Sequence, residues 1–441
     1  MALVTTFATT PLTALLYPPQ YQRKLEAWKR GEIDWNSGEA LGDGSSNGDA
    51  ITMEKMESSK TRSLLVYLRL DNMPTLLAFV SLLGGKPNEV SQTVHPSHAT
   101  SSEIETEPAG TRPESSRRPI EVHGVRLVEL TERGSTVMKV SEQDEYSIFD
   151  PVINAFRVLG QLNNLAVSGE VAVVPENSYA ETLVTKAVEE SSDLLLLPWS
   201  ETGSMSEAQT LSFDSVKDKL ASDTYASFVA TALNTAQCNA AVFINKGFSG
   251  SLKQRPSALQ RTMSALSTRS HREHPTTTGD RSHHVYLPYF GGSDGKLALR
   301  MVLQLAENSH VTATLVHFQQ AASSTSPDVQ TITTKGTNPL QSAEDDAVFF
   351  ASMQRSIPSE LQSRVAFDTR FSAAPIDDAL AYSQQEVGQN PRNGGDLIVV
   401  ARQKGHATAL GGCLGDLADR LLSSGVRASL LVVQAKGAGV E

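Results

Sequence analysis

The sequence has few cysteines, no excess of basic residues and a modest apolar fraction. Two cysteines among 441 residues, Cys238 and Cys413, cannot form a disulfide framework and suit a reducing compartment. The 38 Lys and Arg residues stand against 49 Asp and Glu, a net charge of −11, which argues against nucleic-acid binding. A hydrophobic content of 39% excludes both a polytopic membrane protein and a wholly disordered chain. The composition is therefore typical of globular domains joined by polar linkers.

Signatures of catalysis are also missing. The sequence contains no P-loop, no dinucleotide fingerprint and no G-x-S-x-G elbow after a strand, so we expect no enzymatic activity and no cofactor. His271 and His274, and the pair His283 and His284, lie in polar sequence without a patterned carboxylate partner. We therefore interpret them as solvated loop histidines and expect no metal site.

The first residues differ in character from the rest. Residues 1–17 are apolar and threonine-rich, and no charge precedes Arg23. An irregular apolar terminus is one interpretation, and a signal peptide fits poorly because no basic segment precedes the apolar stretch. The favoured interpretation is the end of a transmembrane helix, since a basic, aromatic collar follows: Arg23, Lys24, Trp28, Lys29, Arg30 and Trp35. Everything downstream would then be cytoplasmic.

Polar segments divide the chain. We assign residues 1–20 to the remnant of a last transmembrane helix and 21–60 to a juxtamembrane basic stretch and flexible linker. Two α/β domains follow, over residues 61–248 and 283–441, and a basic disordered linker, 249–282, lies between them. Each domain is expected to contain a disordered insert, at about 91–119 and about 319–342, because these stretches are too polar to order themselves.

Within both domains, short apolar runs alternate with helical periodicity, which is typical of parallel βαβ units. Predicted strands in the first domain cover residues 64–68, 125–131, 170–174, 193–197 and 240–244, with one helix at 179–191. Those in the second cover 285–290, 311–318, 365–371, 396–402 and 428–434, with helices from about 296, at 343–352, 376–383 and 414–422.

Right-handed crossovers between parallel strands predict two tandem doubly wound, three-layer α/β/α domains. Their common element order suggests a duplication. The alternative is that any two doubly wound domains look alike at this level of detail.

Three segments of the sequence resemble a known family. The opening ALVTTFATTPLTALLYPPQYQRKLEAWKRGEIDW is similar to the end of the membrane domain of fungal potassium/proton antiporters, in the cation/proton exchanger family. HVYLPYFGGSDGKLALRMVLQLA and DLIVVARQKGHATALGGCLGDLADRLLSSGVRASLLVVQ resemble the universal-stress-protein-like domains of the same proteins' cytosolic tail. The resemblance implies that the transport domain, with its cation and proton sites, is missing here.

Stress-protein domains that bind ATP carry an acidic residue after strand 1 and a G-x2-G-x9-G-[ST] loop after strand 4. Here Gly405 and Gly415 keep the G-x9-G spacing, but Asp416 replaces the Ser/Thr and would repel a phosphate at the helix N-terminus. After strand 1 come Gly291, Gly292 and Asp294. We favour structural capping at these positions and keep them only as weak small-ligand candidates.

The linker over residues 249–282 has six basic residues against two acidic ones. It could lie on the anionic cytoplasmic leaflet and be released by phosphorylation at Ser257, Ser264 or Ser267. A solvated linker is the simpler interpretation.

Together these features predict the regulatory cytosolic region of a monovalent cation (potassium)/proton antiporter, in an endomembrane. Expected partners are the transport domain of the same protein, the cytoplasmic membrane surface and a second copy, with potassium and protons as the parent protein's substrates. The alternative is a standalone tandem module that binds a nucleotide or another small ligand.

Overall fold

A computed structural model describes residues 60–84, 120–130, 148–163, 165–205, 222–248, 282–320, 339–387, 395–402 and 413–436. The chain divides into two compact units, Met1–Ser58 and Ser59–Glu441, and every described residue belongs to the second. The expected transmembrane remnant, basic collar and phosphorylation candidates lie outside the described residues. Among those described, no helix is both long and apolar enough to cross a bilayer.

In the first half of the unit, the residues that the structure describes form five strands: β1 (Ser63–Tyr67), β2 (Glu121–Glu129), β3 (Ala166–Val174), β4 (Leu194–Pro198) and β5 (Asn239–Ile244). Its helices are α1 (Met73–Leu83), α2 (Pro151–Leu162), α3 (Tyr179–Glu189) and α4 (Asp223–Thr235), with a short 3-10 turn at Glu176–Ser178.

The second half repeats this order. Its strands are β6 (His283–Tyr289), β7 (Val311–Gln320), β8 (Val365–Ser372), β9 (Leu397–Ala401) and β10 (Ser429–Gln434). Its helices are α5 (Gly292–Ala306), α6 (Pro339–Arg355), the one-turn α7 (Ser359–Gln362), α8 (Pro375–Glu386) and α9 (Asp416–Ser423).

The ten strands of the described residues form one sheet, in the order β3-β2-β1-β4-β5-β10-β9-β6-β7-β8. Within each half every pairing is parallel, which confirms the predicted doubly wound α/β class. The halves meet through β5 and β10, which pair antiparallel from Ala240↔Gln434 to Ile244↔Leu430. The sequence did not predict this joint; the limits proposed for two separate domains stay a prediction.

Side chains across the joint add to the strand pairing. Thr61 exchanges hydrogen bonds with Gln304, whose side-chain oxygen accepts from the Thr61 amide at 3.0 Å and whose nitrogen donates to its carbonyl at 2.8 Å. Lys60 pairs with Glu307 at 2.7 Å. The rings of Phe248 and His283 stack with centroids 4.7 Å apart. The two halves therefore share one interior.

Helices cover both faces of the sheet. On one face, a single apolar core joins α3 and α4 of the first half to α8 and α9 of the second. Val242 and Ile244 of β5 point into that core, whereas Phe243 points to the other face and stacks on Phe79 of α1 at 5.1 Å. Successive side chains of β5 thus pack into the apolar layers on opposite faces of the sheet, as in a parallel sheet that is covered on both sides.

Several boundaries differ from those predicted. β7 continues to Gln320 and α6 begins at Pro339, so regular structure reaches into both ends of the segment assigned to a disordered insert at 319–342. Helix α5 begins at Gly292 rather than at Lys296. His283 and His284 lie in β6, so their interpretation as solvated loop histidines was wrong.

Candidate functional site

Ligands of doubly wound sheets bind beyond the carboxyl ends of the strands, where the strand order reverses. This point lies between β1 and β4 in the first half and between β6 and β9 in the second. We name these edges the first crevice and the second crevice. Because β5 and β10 are antiparallel, the two crevices lie at opposite edges of the sheet.

The guanidinium of Arg69 occupies the first crevice. Arg69 follows β1 and is completely buried. Its Nε donates to Asp71 Oδ1 at 3.0 Å and its Nη1 to the carbonyl of Met205 at 3.0 Å. Its Nη2 donates to Ser200 Oγ, in the loop after β4, at 3.1 Å. One cation therefore ties together the loops that follow both strands.

Aromatic rings and the Asp71 carboxylate complete this arrangement. The Arg69 guanidinium lies 5.4 Å from the ring centre of Tyr225 and 6.0 Å from that of Tyr67. Burial acts to lower the pKa of Arg69. Tyr225, Tyr67 and Asp71 together raise it by more than burial lowers it, so the pKa of Arg69 lies above its usual value. Asp71 Oδ2 also accepts from the amide of Glu201 at 3.0 Å. A buried charge held by so many partners serves the fold.

At the second crevice, the glycine turn after β6 holds a carboxylate of the protein itself. Gly291 and Gly292 have φ angles of +86° and +76°, and the Gly292 amide donates to Asp346 Oδ2 at 2.9 Å. Lys296 Nζ lies 2.7 Å from Asp346 Oδ1. A side chain at Gly291 would place its Cβ 2.1 Å from Asp346 Oδ2. The turn therefore needs glycine there to admit the carboxylate.

The predicted helix at 343–352 would place Asp346 in its first turn, where a carboxylate would match the helix dipole. The structure differs, because α6 begins at Pro339 and has no acidic residue in its first turn. The carboxylate instead lies at the N-terminus of α5, where the helix dipole favours negative charge. Asp346 therefore occupies the one helix N-terminus at this glycine turn that could otherwise attract an anion.

The remaining small-ligand candidates also have partners or lie elsewhere. Asp294, in the first turn of α5, accepts from the amide of Ala435 just after β10 at 2.8 Å. Gly415, with φ +100°, immediately precedes α9, and Asp416 Oδ1 lies 3.4 Å from Nε of Arg420 one turn later. Gly405 lies outside the described residues.

Arg402, directly after β9, holds several loops of this crevice together, although the sequence did not single it out. Its Nε donates to the carbonyl of Cys413 at 2.8 Å, and its Nη1 donates to Gln434 Oε1 and to Asn234 Oδ1, the latter at 3.2 Å. Asn234 belongs to α4 of the first half. Burial lowers the pKa of Arg402. A basic residue directly after a buried strand was the available signal, as it was for Arg69.

An aromatic cluster backs the glycine turn. The rings of His317, Tyr289 and Phe350 pack against one another, with the Tyr289 and Phe350 centroids 5.1 Å and 5.0 Å from that of His317 and 5.3 Å from each other. Burial lowers the pKa of His317, and burial raises the pKa of Tyr289. Burial also raises the pKa of the Cys413 thiol to about 11, which keeps it protonated and unreactive. Within the described part of the chain, no cluster of three His, Cys, Asp or Glu side chains could hold a metal ion.

Comparison with known proteins points to cation/proton antiporters. Residues 122–248 match the family described as the plant cation/H(+) antiporter domain. Cation/H(+) antiporter 18 of Arabidopsis thaliana is 23% identical over 335 residues, which cover 71% of this chain and 37% of that protein. Cation/H(+) antiporter 19 of the same plant is 21% identical over 333 residues, covering 73% of this chain and 31% of that protein. The matched region is about a third of each antiporter.

Among solved structures, a universal stress protein from Archaeoglobus fulgidus is similar to the chain. The superposition has a TM-score of 0.41 at 10% sequence identity and covers 86% of this chain and 98% of that one.

Proposed function

We propose that the chain is a regulatory cytosolic region of a monovalent cation/proton antiporter and that the ions cross the membrane through another part of the parent protein. The match of residues 122–248 to the plant cation/H(+) antiporter domain carries this proposal. The relatives support it, because they are antiporters of which this chain matches about a third. Potassium as the cation, a fungal relationship and an endomembrane location follow from the resemblance in the sequence and belong to the proposal.

The charged groups in the two crevices are paired within the protein, which supports a regulatory rather than a catalytic role for the chain. Arg69 is neutralised by Asp71, and the Gly292 amide is bound to Asp346. Arg402 donates to acceptors on both halves of the sheet. The first two contacts close each crevice from within its own half, and the contact between Arg402 and Asn234 joins the two halves, which suits a platform that transmits contacts to an attached transport domain. Within the proposal the chain is not an enzyme and does not bind nucleic acid.

The alternative function, a standalone module that binds a nucleotide, would need the same groups for a ligand. Gly292, Asp294 and Arg402 are each hydrogen-bonded within the protein. No contact of the described residues favours this alternative over the regulatory role.

Ion flux in vesicles tests the proposal. The purified chain is reconstituted into liposomes that contain a pH dye, and a potassium gradient is imposed. We expect the rate of pH change to equal that of protein-free vesicles. In a second arm, the chain replaces the region of Arabidopsis cation/H(+) antiporter 18 to which it aligns, and potassium-driven proton flux is compared with that of the antiporter truncated before this region.

We expect the chimera to differ from the truncated antiporter, and a chimera that carries Arg69→Met to move toward the truncated form. Dissipation of the gradient by the chain alone would assign ion transport to the chain and overturn the proposal. Equal fluxes from the chimera and the truncated antiporter would equally refute a regulatory role.

A further inference from the structure

The outer edge of β8 is an open sheet edge. β8 is the last strand on its side of the sheet and, among the described residues, pairs with β7 alone. Thr369, Arg370 and Phe371 are exposed in succession, and Phe371 is 72% exposed. Because successive residues of a strand point to opposite faces, both faces of the sheet are accessible here. An edge of this kind can add a strand from another chain.

Every second residue of β8 directs its backbone away from β7. The amide of Thr369 donates to Oδ1 of its neighbour Asp368 at 2.8 Å, so it does not bond to β7. The carbonyl of Arg364, just before the strand, accepts from the amide of Ala313 in β7 at 3.0 Å. Even-numbered residues therefore pair with β7, whereas the odd-numbered residues 367, 369 and 371 direct their amides and carbonyls toward a further strand.

The charges along β8 are complementary to themselves. Asp368 and Arg370 lie on one face of the strand, with Asp368 Oδ2 2.9 Å from Arg370 Nε. If two β8 strands pair antiparallel about Thr369, Asp368 of each copy lies opposite Arg370 of the other. These are non-hydrogen-bonded pairs, in which opposing side chains approach most closely. The same register places Phe367 opposite Phe371 on the other face, so the exposed ring gains an aromatic neighbour.

The antiparallel registers on either side do not give this match. An axis at residue 368 or at residue 370 would place two like charges directly opposite each other, which destabilises a sheet. An axis at residue 367 would place Arg364 opposite Arg370, and an axis at residue 371 would leave both charges opposite uncharged residues. The charge pattern therefore favours a second copy of β8 over an unrelated strand, and it favours one register.

The opposite edge of the sheet lacks this pattern. β3 is the last strand on that side, and its Gly169 carbonyl accepts from Arg157 of α2 at 3.1 Å. The one charged side chain of β3, Glu170, already lies 3.2 Å from Lys186 Nζ. A second β3 would bring only another glutamate, so a symmetric pair of β3 strands would gain no opposite charges.

We infer that two copies of the chain associate through their β8 strands, antiparallel about a two-fold axis at Thr369, so that the two ten-stranded sheets continue as one. A symmetric contact requires a surface that is complementary to itself, and Asp368 with Arg370 meets that requirement. The Arg370 guanidinium lies 4.2 Å from the ring centre of Tyr382, so it is oriented before the second copy binds. On association the Thr369 amide exchanges the Asp368 carboxylate for a carbonyl of the second copy. This dimer does not depend on the proposed role in ion exchange.

Charge reversal, followed by sedimentation equilibrium of the full chain over a concentration series, tests the dimer. Asp368→Arg and Arg370→Asp each place like charges opposite each other, and we expect the dissociation constant to rise by about tenfold or more in either variant. The double variant exchanges the two charges and restores complementarity, so its dissociation constant should return to within about threefold of that of the unmodified chain. Arg355→Asp, the same change at an exposed arginine outside β8, should alter it by less than about twofold.

Disulfide formation checks the register. Thr369→Cys places two thiols on the two-fold axis, at the roughly 5.5 Å Cα separation of a hydrogen-bonded pair, which a disulfide can span. Mild oxidation should give more covalent dimer than the unmodified chain gives, whereas Thr231→Cys, at an exposed site of α4, should not.

Far-UV circular dichroism confirms that each variant is folded. A monomer across the whole concentration series, a dimer that the single reversals do not weaken, or a double variant as weak as the single ones would each overturn the inference. Preferential cross-linking through residue 231 would do the same.

Discussion

The two halves of the unit close equivalent crevices with opposite charges. In the first half a cation that follows strand 1, Arg69, lies in the crevice and is held by Asp71 and the loop after strand 4. In the second half an anion from a different helix, Asp346, lies on the glycine turn that follows strand 1. In both halves, therefore, a charged side chain of the protein fills the crevice that the shared topology creates. The loop sequence decides whether that side chain is a cation or an anion.

The two charges should also contribute differently to the free energy of unfolding. Arg69 is fully buried, so its charge depends on protein partners alone. Asp346 keeps some contact with water, and its partner Lys296 has a side chain that is 32% exposed. Water screens the second closure more than the first. We expect changes to the first half to cost more, and the following predictions are ordered accordingly.

Arg69→Met should produce the largest effect. Removing one member of a buried ion pair leaves Asp71 without its main partner, and such changes cost about 3 kcal/mol or more. Urea denaturation should therefore show a large fall in the free energy of unfolding. Arg355→Met, at an exposed arginine of the second half, is the matched control and should stay within about 0.5 kcal/mol. Equal losses in the two variants would contradict the structural role of Arg69.

Gly291→Ala should have the second largest effect, and Gly292→Ala provides its control. Both glycines have positive φ angles, so each substitution carries about 1 to 3 kcal/mol of backbone strain. Only the alanine at 291 would also collide with Asp346, because nothing lies within 4 Å of a Cβ at 292. Gly291→Ala should thus lower the free energy of unfolding clearly more than Gly292→Ala does.

Combining Gly291→Ala with Asp346→Ala should remove that extra loss. If the two single glycine variants were equally stable, the carboxylate would not occupy the turn as described.

His317→Gln should have a smaller effect, and one that depends on pH. Burial lowers the pKa of His317 in the folded protein, so folding favours the neutral ring. The corresponding stability is fully present above the pKa of an unfolded histidine, about 6.5, and is lost as the pH falls below it. Between pH 7.5 and 5.5 the unmodified chain should therefore lose more stability than His317→Gln, by urea denaturation. Parallel losses in both proteins would show that His317 does not contribute.

Nucleotide addition should have the smallest effect, with no measurable heat. Titration of the full chain with AMP, ATP and cyclic nucleotides is expected to be flat, because Gly292, Asp294 and Arg402 already have partners within the protein. Saturable heat that Asp346→Ala strengthens would show that ligand and carboxylate compete for the glycine turn, and would favour the alternative function.

The strands were predictable because they are short, apolar and bounded by polar residues. β4, with the sequence LLLLP, is buried at every position and could be identified from its composition alone. Helix α1 was missed for a related reason. Its sequence MPTLLAFVSLL is apolar nearly all round, so it lacks the polar face on which helical periodicity depends. Burial on several sides removed the signal.

The candidate site was less predictable. Gly291, Gly292 and Asp294 were found because glycines after a strand are an obvious local feature. Asp346 was assigned to its own helix, since nothing local shows that it crosses to α5, 54 residues away. Arg69 and Arg402 were not selected because their partners, such as Ser200 and Asn234, are more than 100 residues distant in the chain.

The sequence by itself determined the α/β class, the positions of the strands along the chain and the resemblance to antiporters, because these depend on local composition and periodicity. Only the tertiary structure decided that the two halves form one sheet through β5 and β10 and that their crevices face opposite edges. It also decided which charge lies in each crevice. These features depend on contacts between residues far apart in the chain, and local pattern carries no record of such contacts.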